Sequence, residues 1–399
     1  MEEYDKKEIQ HICSNICSGG TPKSTIEEYY GGTIPWLNTK EINFNRIYKT
    51  EKTITNEGLN NSSAKWIPAK SVIVAMYGAT AGKTAITQIP LTTNQACCNL
   101  TIDSTKADYR FVFYALCNDY AYLASLANGG AQQNLNAQQI REFEIPCPSL
   151  EEQKRIADIL SSLDDKIELN RRINDNLEQQ ARALFKAWFV DFEPFRDGEF
   201  VDSELGMIPK GWKVVSLGEV TKQITEKVGN REDVTVLSPI NSGELVLSKE
   251  YFTKQVFSKD LSKYLIVNPL SFAYNPARIN IGSIGLNTFD FLGCVSPVYV
   301  VFECEPNYQY FFDFFKRTAT FKDEVALRAI GGVRQSLGYN DFSLIKTVYP
   351  TQDVVIKFNN LYLKMKEVIN QNSIQSDKFI SLRDSLLPKL MSGELKINN

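Results

Sequence analysis

Three residues near the start of the chain have side chains suited to metal binding or nucleophilic chemistry. They are His11, Cys13 and Cys17, and His11 is the only histidine in the sequence. One histidine rules out a His-Glu-x-x-His metal site and leaves a single histidine base for any Ser or Cys nucleophile. A tetrahedral zinc site would need a second Cys-x-x-Cys pair, which the sequence lacks. We interpret the three residues as a half-buried histidine and two small apolar cysteines. The sequence therefore predicts no metal site.

A glycine-rich segment at 78–84 (GATAGKT) resembles a phosphate-binding loop but has the wrong spacing. That loop needs four residues between its glycines and a helix after them. Here three residues separate the glycines, and 85–90 (AITQIP) is typical of a strand that ends at a proline. The segment YNPAR at 274–278 lacks the second proline and the aromatic residue of an adenine methyltransferase motif. We interpret 78–82 as a turn between two strands, and we predict no catalytic centre and no cofactor in this chain.

The composition limits how this protein could bind DNA and whether it could cross a membrane. The chain has 399 residues and a formal net charge of -3, whereas proteins that bind DNA by bulk attraction carry a basic excess. Any DNA binding must therefore use local basic residues or a partner's positive field. The start is charged, the eight cysteines are scattered, and no window reaches the ~18 to 20 apolar residues of a membrane span. We expect a cytoplasmic protein with no membrane partner.

The chain contains an internal repeat. Residues 129–135 (GGAQQNL) match 331–337 (GGVRQSL), and Pro148 and Pro350 keep the same offset of 202. In each half a long pattern of helical spacing follows. In the first half Ser149 and Glu152 form a capping-box pattern ahead of it.

The two helical patterns are heptad seams with a polar interruption at the same place. The first seam is Ile156, Leu160, Leu163, Ile167, Asn170, Asn174, Leu177, Ala181, Leu184 and Trp188. The second is Phe358, Tyr362, Met365, Ile369, Asn372, Ser376, Phe379, Arg383, Leu386 and Leu390. Arg383 departs from the apolar pattern, and Pro388 should bend or end the last turn. Each helical pattern runs roughly 36 residues, or about 54 Å at about 1.5 Å per residue. Because this is more than a small domain is wide, we expect the helices to pair rather than lie singly on their own domains.

The fold class predicted from these patterns is α+β. Two mixed α/β domains, at 1–148 and within 189–350 after a linker, are separated by two long antiparallel coiled-coil helices at 149–188 and 351–399. The halves form a pseudo-two-fold repeat. Residues near the helix midpoints should then meet their own repeats, and Leu163, Ile167, Asn170, Asn174, Leu177, Met365, Ile369 and Asn372 are the predicted pairing residues. Such a strut could hold two readers on successive turns of B-DNA or on a two-fold protein partner.

Nearly the whole chain resembles the specificity subunits of type I restriction-modification enzymes. The segments that carry the resemblance are LFKAWFVDFEPF at 184–195, GMIPKGW at 206–212, YNPARINIGSIG at 274–285 and LRDSLLPKLMSGEL at 382–395. The family's proline-glycine-tryptophan opening is missing from the first half. The resemblance implies two target-recognition domains that each read half of a split DNA site. It also implies two docked methyltransferase subunits and recruited motor-nuclease (restriction) subunits, with S-adenosylmethionine, ATP and Mg on those partners.

Side chains that could form hydrogen bonds with the edges of DNA bases lie in the predicted loops of both domains. Arg and Lys contact guanine, whereas Asn and Gln suit adenine. The predicted DNA-binding residues are Thr21, Lys23, Ser24, Lys83, Gln132, Gln133 and Asn134 in the first domain, and Asn275, Arg278, Asn280, Arg334 and Gln335 in the second. Each could instead stabilise a turn or contact phosphate alone.

Two other classes of function remain open. One is a stand-alone DNA-modifying enzyme with an unrecognised site, which would methylate DNA without partners. The other is a coiled-coil scaffold that binds no DNA, in which case the reconstituted complex would show no sequence preference.

Overall fold

The computed structural model describes residues 4–127, 134–329 and 336–397, which form two compact units. The first unit contains Met1–Arg171 and Asn372–Asn399, and the second contains Arg172–Gln371. Two helices of 40 residues each, the central helix Leu150–Phe189 and the C-terminal helix Gln352–Met391, contribute residues to both units. No helix among the described residues has an apolar stretch long enough to cross a membrane.

The first unit is built on a five-stranded sheet packed between helices and a smaller sheet. Its strands, in chain order, are Lys6–Glu8, Cys13–Ser18, Tyr30–Leu37, Asn45–Ile47, Lys52–Ile54, Val72–Ala75, Thr84–Thr87, Thr92–Thr93, Cys97–Ile102 and Glu144–Pro146. Its shorter α-helices are Ile9–Ile12, Asn56–Asn60, Tyr109–Asn118, Tyr120–Ser125 and Ala137–Arg141.

The middle strand Val72–Ala75 shows why this sheet is buried on both faces. All four side chains are fully buried, as expected for a continuous apolar run rather than an alternating one. Val72 and Val74 pack in the cluster that contains the helix Tyr109–Asn118, whereas Ile73 and Ala75 pack on the opposite face. The sheet that contains this strand is therefore the middle layer of three, with the helix Tyr109–Asn118 packed on one face and a second apolar cluster on the other.

The second unit repeats this construction with a core rich in phenylalanine. Its strands are Phe200–Val201, Ile208–Pro209, Lys213–Ser216, Thr221–Ile224, Thr235–Pro239, Leu245–Leu247, Leu265–Val267, Phe272–Tyr274, Ile284–Leu286, Gly293–Val295, Val300–Cys304 and Lys346–Tyr349. Its shorter α-helices are Leu217–Val220, Ser248–Tyr251, Gln309–Phe315, Ala319–Arg328 and Tyr339–Phe342.

The strand order shows the duplication directly. In the first unit the sheet order is Cys13–Ser18, Cys97–Ile102, Val72–Ala75, Thr84–Thr87 and Asn45–Ile47. In the second it is Thr221–Ile224, Val300–Cys304, Phe272–Tyr274 and Ile284–Leu286. Four strands thus recur in the same order, and in both units the third and fourth of them form a hairpin, at 72–87 and 272–286. The first unit adds the strand Asn45–Ile47 beyond its hairpin. The mixed α/β repeat predicted from the sequence is confirmed.

The two long helices pair antiparallel within each unit. In the first unit, where Asn170 is buried, its side-chain amide donates to the Asn372 carbonyl at 3.3 Å, to Gln375 Oε1 at 2.9 Å and to Ser376 Oγ at 3.2 Å. In the second unit the Asn174 amide donates to the Ile369 carbonyl at 3.4 Å. As residue numbers rise along one helix they fall along the other.

The central helix begins with the cap that its sequence predicts, whereas the C-terminal helix continues past a proline. The Glu152 backbone N–H donates to Ser149 Oγ at 3.3 Å, which supplies one bond of the expected N-terminal cap, while the Glu152 carboxylate pairs with Arg155 at 2.6 Å. The C-terminal helix does not end at Pro388 but continues to Met391. Leu390 and Met391 are buried in the core of the first unit, which stabilises this last turn.

Candidate nucleic-acid interface

The glycine-rich segment of the first unit forms a turn between two strands, as its sequence predicts. The strands Val72–Ala75 and Thr84–Thr87 pair antiparallel, and a short 3-10 turn at Gly78–Thr80 joins them. Gly82 has a φ of +82°, and a Cβ there would lie 3.3 Å from the Ala124 backbone. A strand rather than a helix follows the glycines, so the segment is not a nucleotide-binding loop.

A second segment returns to this turn. The Leu135 N–H donates to the Met76 carbonyl at 2.8 Å, and Tyr77 forms an isolated bridge with Asn134. Both Tyr77 and Asn134 are exposed. Of the predicted reading residues nearby, Asn134 therefore lies beside the turn, whereas Gln132 and Gln133 lie outside the described residues.

Lys83 is held by intramolecular contacts. Its ammonium donates to Asn43 Oδ1 at 2.7 Å and lies 5.8 Å from the centre of the Phe44 ring. That ring packs edge-on against Tyr120 at 5.0 Å. One of the three N–H donors of the Lys83 ammonium is thus used. The loop that contains Asn43 and Phe44 fixes the direction of the Lys83 side chain. Its contact with DNA stays a prediction.

The remaining predicted residues of the first unit lie in the loop after the strand Cys13–Ser18. Thr21, Lys23 and Ser24 are exposed, and the Thr21 hydroxyl donates to the side-chain oxygen of Gln95. The loop is packed closely, because a Cβ on Gly19 would lie 2.2 Å from the Thr93 carbonyl oxygen.

Gln95 is a further candidate for base recognition that the sequence did not suggest. It is exposed beside Thr21, in the turn between the strands Thr92–Thr93 and Cys97–Ile102. An exposed amide in a short turn has the chemistry that reads adenine. The polar run TTNQ at 92–95, placed between apolar segments, is the signal that could have found it.

The equivalent turn of the second unit occupies 275–283. The Arg278 N–H donates to the Asn275 carbonyl at 2.9 Å, and Asn275 Oδ1 accepts from the Ala277 N–H at 3.0 Å. Asn275 is therefore a turn-forming residue, whereas Arg278 and Asn280 are exposed on either side of the buried Ile279.

A returning segment meets this turn as well. The Leu337 N–H donates to the Pro276 carbonyl at 3.1 Å, which corresponds to the contact of Leu135 with Met76 in the first unit. The predicted residues Arg334 and Gln335 precede Leu337 but lie outside the described residues. Each unit thus combines a strand-connecting turn with the end of its repeated glycine segment.

The candidate metal-binding residues do not form a site in the structure. His11 is exposed rather than half-buried as predicted, since its side chain is 66% accessible at the end of a four-residue helix. Burial raises the pKa of the Cys13 thiol to about 12, so it stays protonated at neutral pH. No group of three or more His, Cys, Asp or Glu residues within 4–127, 134–329 and 336–397 is arranged to hold a metal ion.

The predicted helix-pairing residues all avoid the exposed helix faces. Leu163 and Asn170 are buried, and Ile167, Asn174, Leu177, Met365, Ile369 and Asn372 are half-buried. Neighbouring positions outside the seam, such as Leu169 and Ile173, are exposed.

Arg383 has a partner that explains its place in the seam. Its Nη1 lies 2.8 Å from Asp164 Oδ1, and Asp164 Oδ2 accepts from the Tyr114 hydroxyl at 2.5 Å. The guanidinium therefore joins the C-terminal helix to the central helix, and Tyr114 joins both to the sheet domain of the first unit.

Comparisons with known proteins agree with this architecture. A family model described as the type I restriction modification DNA specificity domain matches residues 1–179. The MjaIX specificity subunit of Methanocaldococcus jannaschii is 31% identical over 412 aligned positions, which cover 99% of this chain and 94% of that protein. The HindI specificity subunit of Haemophilus influenzae is 24% identical and covers 69% of this chain and 74% of its own length.

A solved structure shares the fold. The S subunit of a type I restriction-modification system from M. genitalium superposes with a TM-score of 0.57 at 16% identity, over 97% of this chain and 96% of that one. The duplicated α/β units, the two long helices and the full-length similarity to the archaeal relative together show that the chain belongs to the family of type I restriction enzyme specificity subunits.

Proposed function

We propose that this chain reads a DNA site made of two separated half-sequences, one for each unit. The observation that supports this is the duplicated loop construction. In both units a strand-connecting turn meets the segment that follows a glycine pair, through Leu135 and Met76 in one and Leu337 and Pro276 in the other. Two similar constructions of different sequence are suited to two different half-sites.

We further propose that the chemistry belongs to partner subunits. The chain would bind two methyltransferase subunits and recruit restriction subunits, which would hold S-adenosylmethionine, ATP and Mg²⁺. The target-recognition domains would be 1–148 and the part of 189–350 after the linker, and the long helices Leu150–Phe189 and Gln352–Met391 would set the gap between half-sites. A net charge of -3 is consistent with partners that supply much of the positive field.

Methylation mapping tests the bipartite site. Adenine methylation is mapped in DNA from cells that express this chain with its methyltransferase partner, and then with an Arg278→Ala variant. We expect one bipartite sequence for the wild type. For the variant we expect a loss of discrimination of about 1–3 kcal/mol at a single position of one half-site.

The matched control is Lys249→Ala, an exposed cation of the same unit in the helix Ser248–Tyr251. It should leave both half-sites unchanged. A continuous recognition sequence, or methylation by this chain without a partner, would contradict the proposed division of labour.

A further inference from the structure

A lysine is buried directly beneath the turn at 275–283 in the second unit. The side chain of Lys316, which follows the helix Gln309–Phe315, is only 3% exposed. Burying an ammonium group costs free energy unless each N–H finds an acceptor and the charge is paired. A methionine would fill a similar volume without that cost. The presence of a lysine at this position therefore needs an explanation, which its contacts provide.

All three donors of Lys316 have acceptors. Its ammonium lies 2.5 Å from Asp313 Oδ1, 2.7 Å from the Gly243 carbonyl oxygen and 3.2 Å from the Ile284 carbonyl oxygen. It also lies 5.6 Å from the centre of the Phe272 ring. A fully satisfied buried network of this kind holds its members in one arrangement.

The two carbonyls belong to different loops. Gly243 lies in the turn between the strands Thr235–Pro239 and Leu245–Leu247, and Ile284 begins the strand that directly follows the turn carrying Arg278 and Asn280. Lys316 therefore ties the exposed turn to a neighbouring loop from below.

Other contacts fasten the same two loops. Ser283 Oγ donates to the Pro239 carbonyl at 2.8 Å. A Cβ on Gly282, whose φ is +92°, would lie 2.7 Å from the Asn241 carbonyl oxygen, and one on Gly285 would lie 2.4 Å from the Leu245 nitrogen. The chain is thus held by a hydrogen bond or by close backbone approach at each residue of 282–285, where the turn ends and the next strand begins, while Arg278 and Asn280 remain exposed.

We propose that Lys316 is a positioning residue that sets the direction of Arg278 and Asn280 for base recognition in the second half-site. This inference rests on the proposed function of the turn. Lys316 itself has no access to DNA, so it acts only through the loop it holds. A base contact needs side chains placed within about 0.5 Å, which an unfastened loop does not provide.

The test measures selectivity separately at the two half-sites. The full chain is reconstituted with its methyltransferase partner, and the complex methylates a library of duplexes in which single positions of either half-site are varied. The variants are Lys316→Met, which removes the charge, and Lys316→Arg, which retains it. The matched control is Lys322→Met. The exposed Lys322, in the helix Ala319–Arg328, lines the cleft that Lys316 and Asn280 also line, but its ammonium is not one of the donors to the Gly243 and Ile284 carbonyls.

We expect Lys316→Met to lower discrimination in the second half-site by about tenfold, within the range given by the loss of one base contact. Discrimination in the first half-site should be unchanged, and Lys316→Arg should recover part of the loss. A merely structural role would reduce the amount of active complex without changing the ratio between half-sites.

Two results would overturn the proposal: unchanged discrimination by folded Lys316→Met, or an equal loss at both half-sites. If that variant fails to fold, Ser283→Ala provides the test instead. It removes one neutral hydrogen bond, from Ser283 Oγ to the Pro239 carbonyl, and should lower discrimination at the second half-site alone. A wild-type complex that shows no bipartite site would instead refute the proposed function on which this inference depends.

Discussion

The contact of Arg383 with Asp164 predicts a large stability loss from a single substitution. Arg383→Met removes the cation that meets Asp164 Oδ1 at 2.8 Å, while the Tyr114 hydroxyl still donates to the other oxygen at 2.5 Å. Burial, followed by the Asp164 charge, raises the pKa of Tyr114, so this hydroxyl stays protonated and remains a donor. The carboxylate of Asp164 then keeps one donor where it had two.

The exposure of the pair sets the magnitude. Breaking a fully buried ion pair costs about 3–5 kcal/mol, whereas an exposed pair contributes about 0–1 kcal/mol. The Arg383 and Asp164 side chains are 26% and 16% exposed, which lies between these cases. We therefore expect a loss of about 2 kcal/mol in unfolding free energy, which corresponds to a Tm lower by about 4–8 °C for a unit of this size.

Thermal unfolding followed by circular dichroism measures this loss. The control is Arg182→Met, because Arg182 lies 3.5 Å from Glu178 on the central helix with both side chains more than half exposed. It should change the unfolding free energy by less than about 0.5 kcal/mol. A double-mutant cycle with Asp164→Asn should give a coupling of about 1–2 kcal/mol. An unchanged Tm for Arg383→Met, or strictly additive effects, would refute the reasoning.

Three further outcomes follow from the structure and the charge. Gly82→Ala should destabilise the first unit by about 1–2 kcal/mol and more than Gly78→Ala in thermal unfolding, because both glycines have positive φ but only a Cβ at Gly82 meets backbone within 4 Å. A fragment from Met1 to Phe195 should form dimers in sedimentation, since it lacks the Leu390 and Met391 side chains that cover its own core; a monomer at high micromolar concentration would contradict this. The isolated chain should bind DNA weakly, with an affinity that falls at least about tenfold between ~50 and ~200 mM salt in fluorescence anisotropy, and tight specific binding at physiological salt would be the contrary result.

The architecture could be predicted because the spacing of apolar residues and the repetition of segments are visible in the sequence. The heptad spacing of Ile156, Leu160 and Leu163 indicates a helix that buries one face, and these three side chains are buried. The glycine segments 202 positions apart indicate a duplication, and the strand order repeats accordingly. Such signals can be read from the order of the residues alone and need no knowledge of which residues are in contact in space.

The candidate site could be predicted only in outline, because the sequence does not show which of its polar side chains already have partners within the folded chain. Lys83 looked like a free cation, yet its partner Asn43 lies 40 residues earlier. Asn275 looked like a base reader, yet it also accepts the Ala277 N–H within its own turn. Gln95 gave no periodic signal at all. Contacts of this kind are set by the packed fold, so the sequence shows which side chains are suitable without showing which are available.

The polar interruptions of the two seams explain how a single helix register is selected. Asn170 and Asn372 are equivalent positions of the repeat, and the antiparallel pairing brings the side-chain amide of Asn170 to the backbone carbonyl of Asn372. A slide of one heptad would still leave a backbone carbonyl near Asn170, but it would remove the side-chain acceptors Gln375 and Ser376. Their places would be taken by Val368 and Ile369, or by Leu382 and Arg383, whose side chains accept no hydrogen bond. A buried amide N–H that loses its acceptor costs about 1–3 kcal/mol, whereas the leucines and isoleucines of the seam would tolerate the shift. The apolar residues therefore supply most of the attraction between the helices, and the asparagine decides which residues meet.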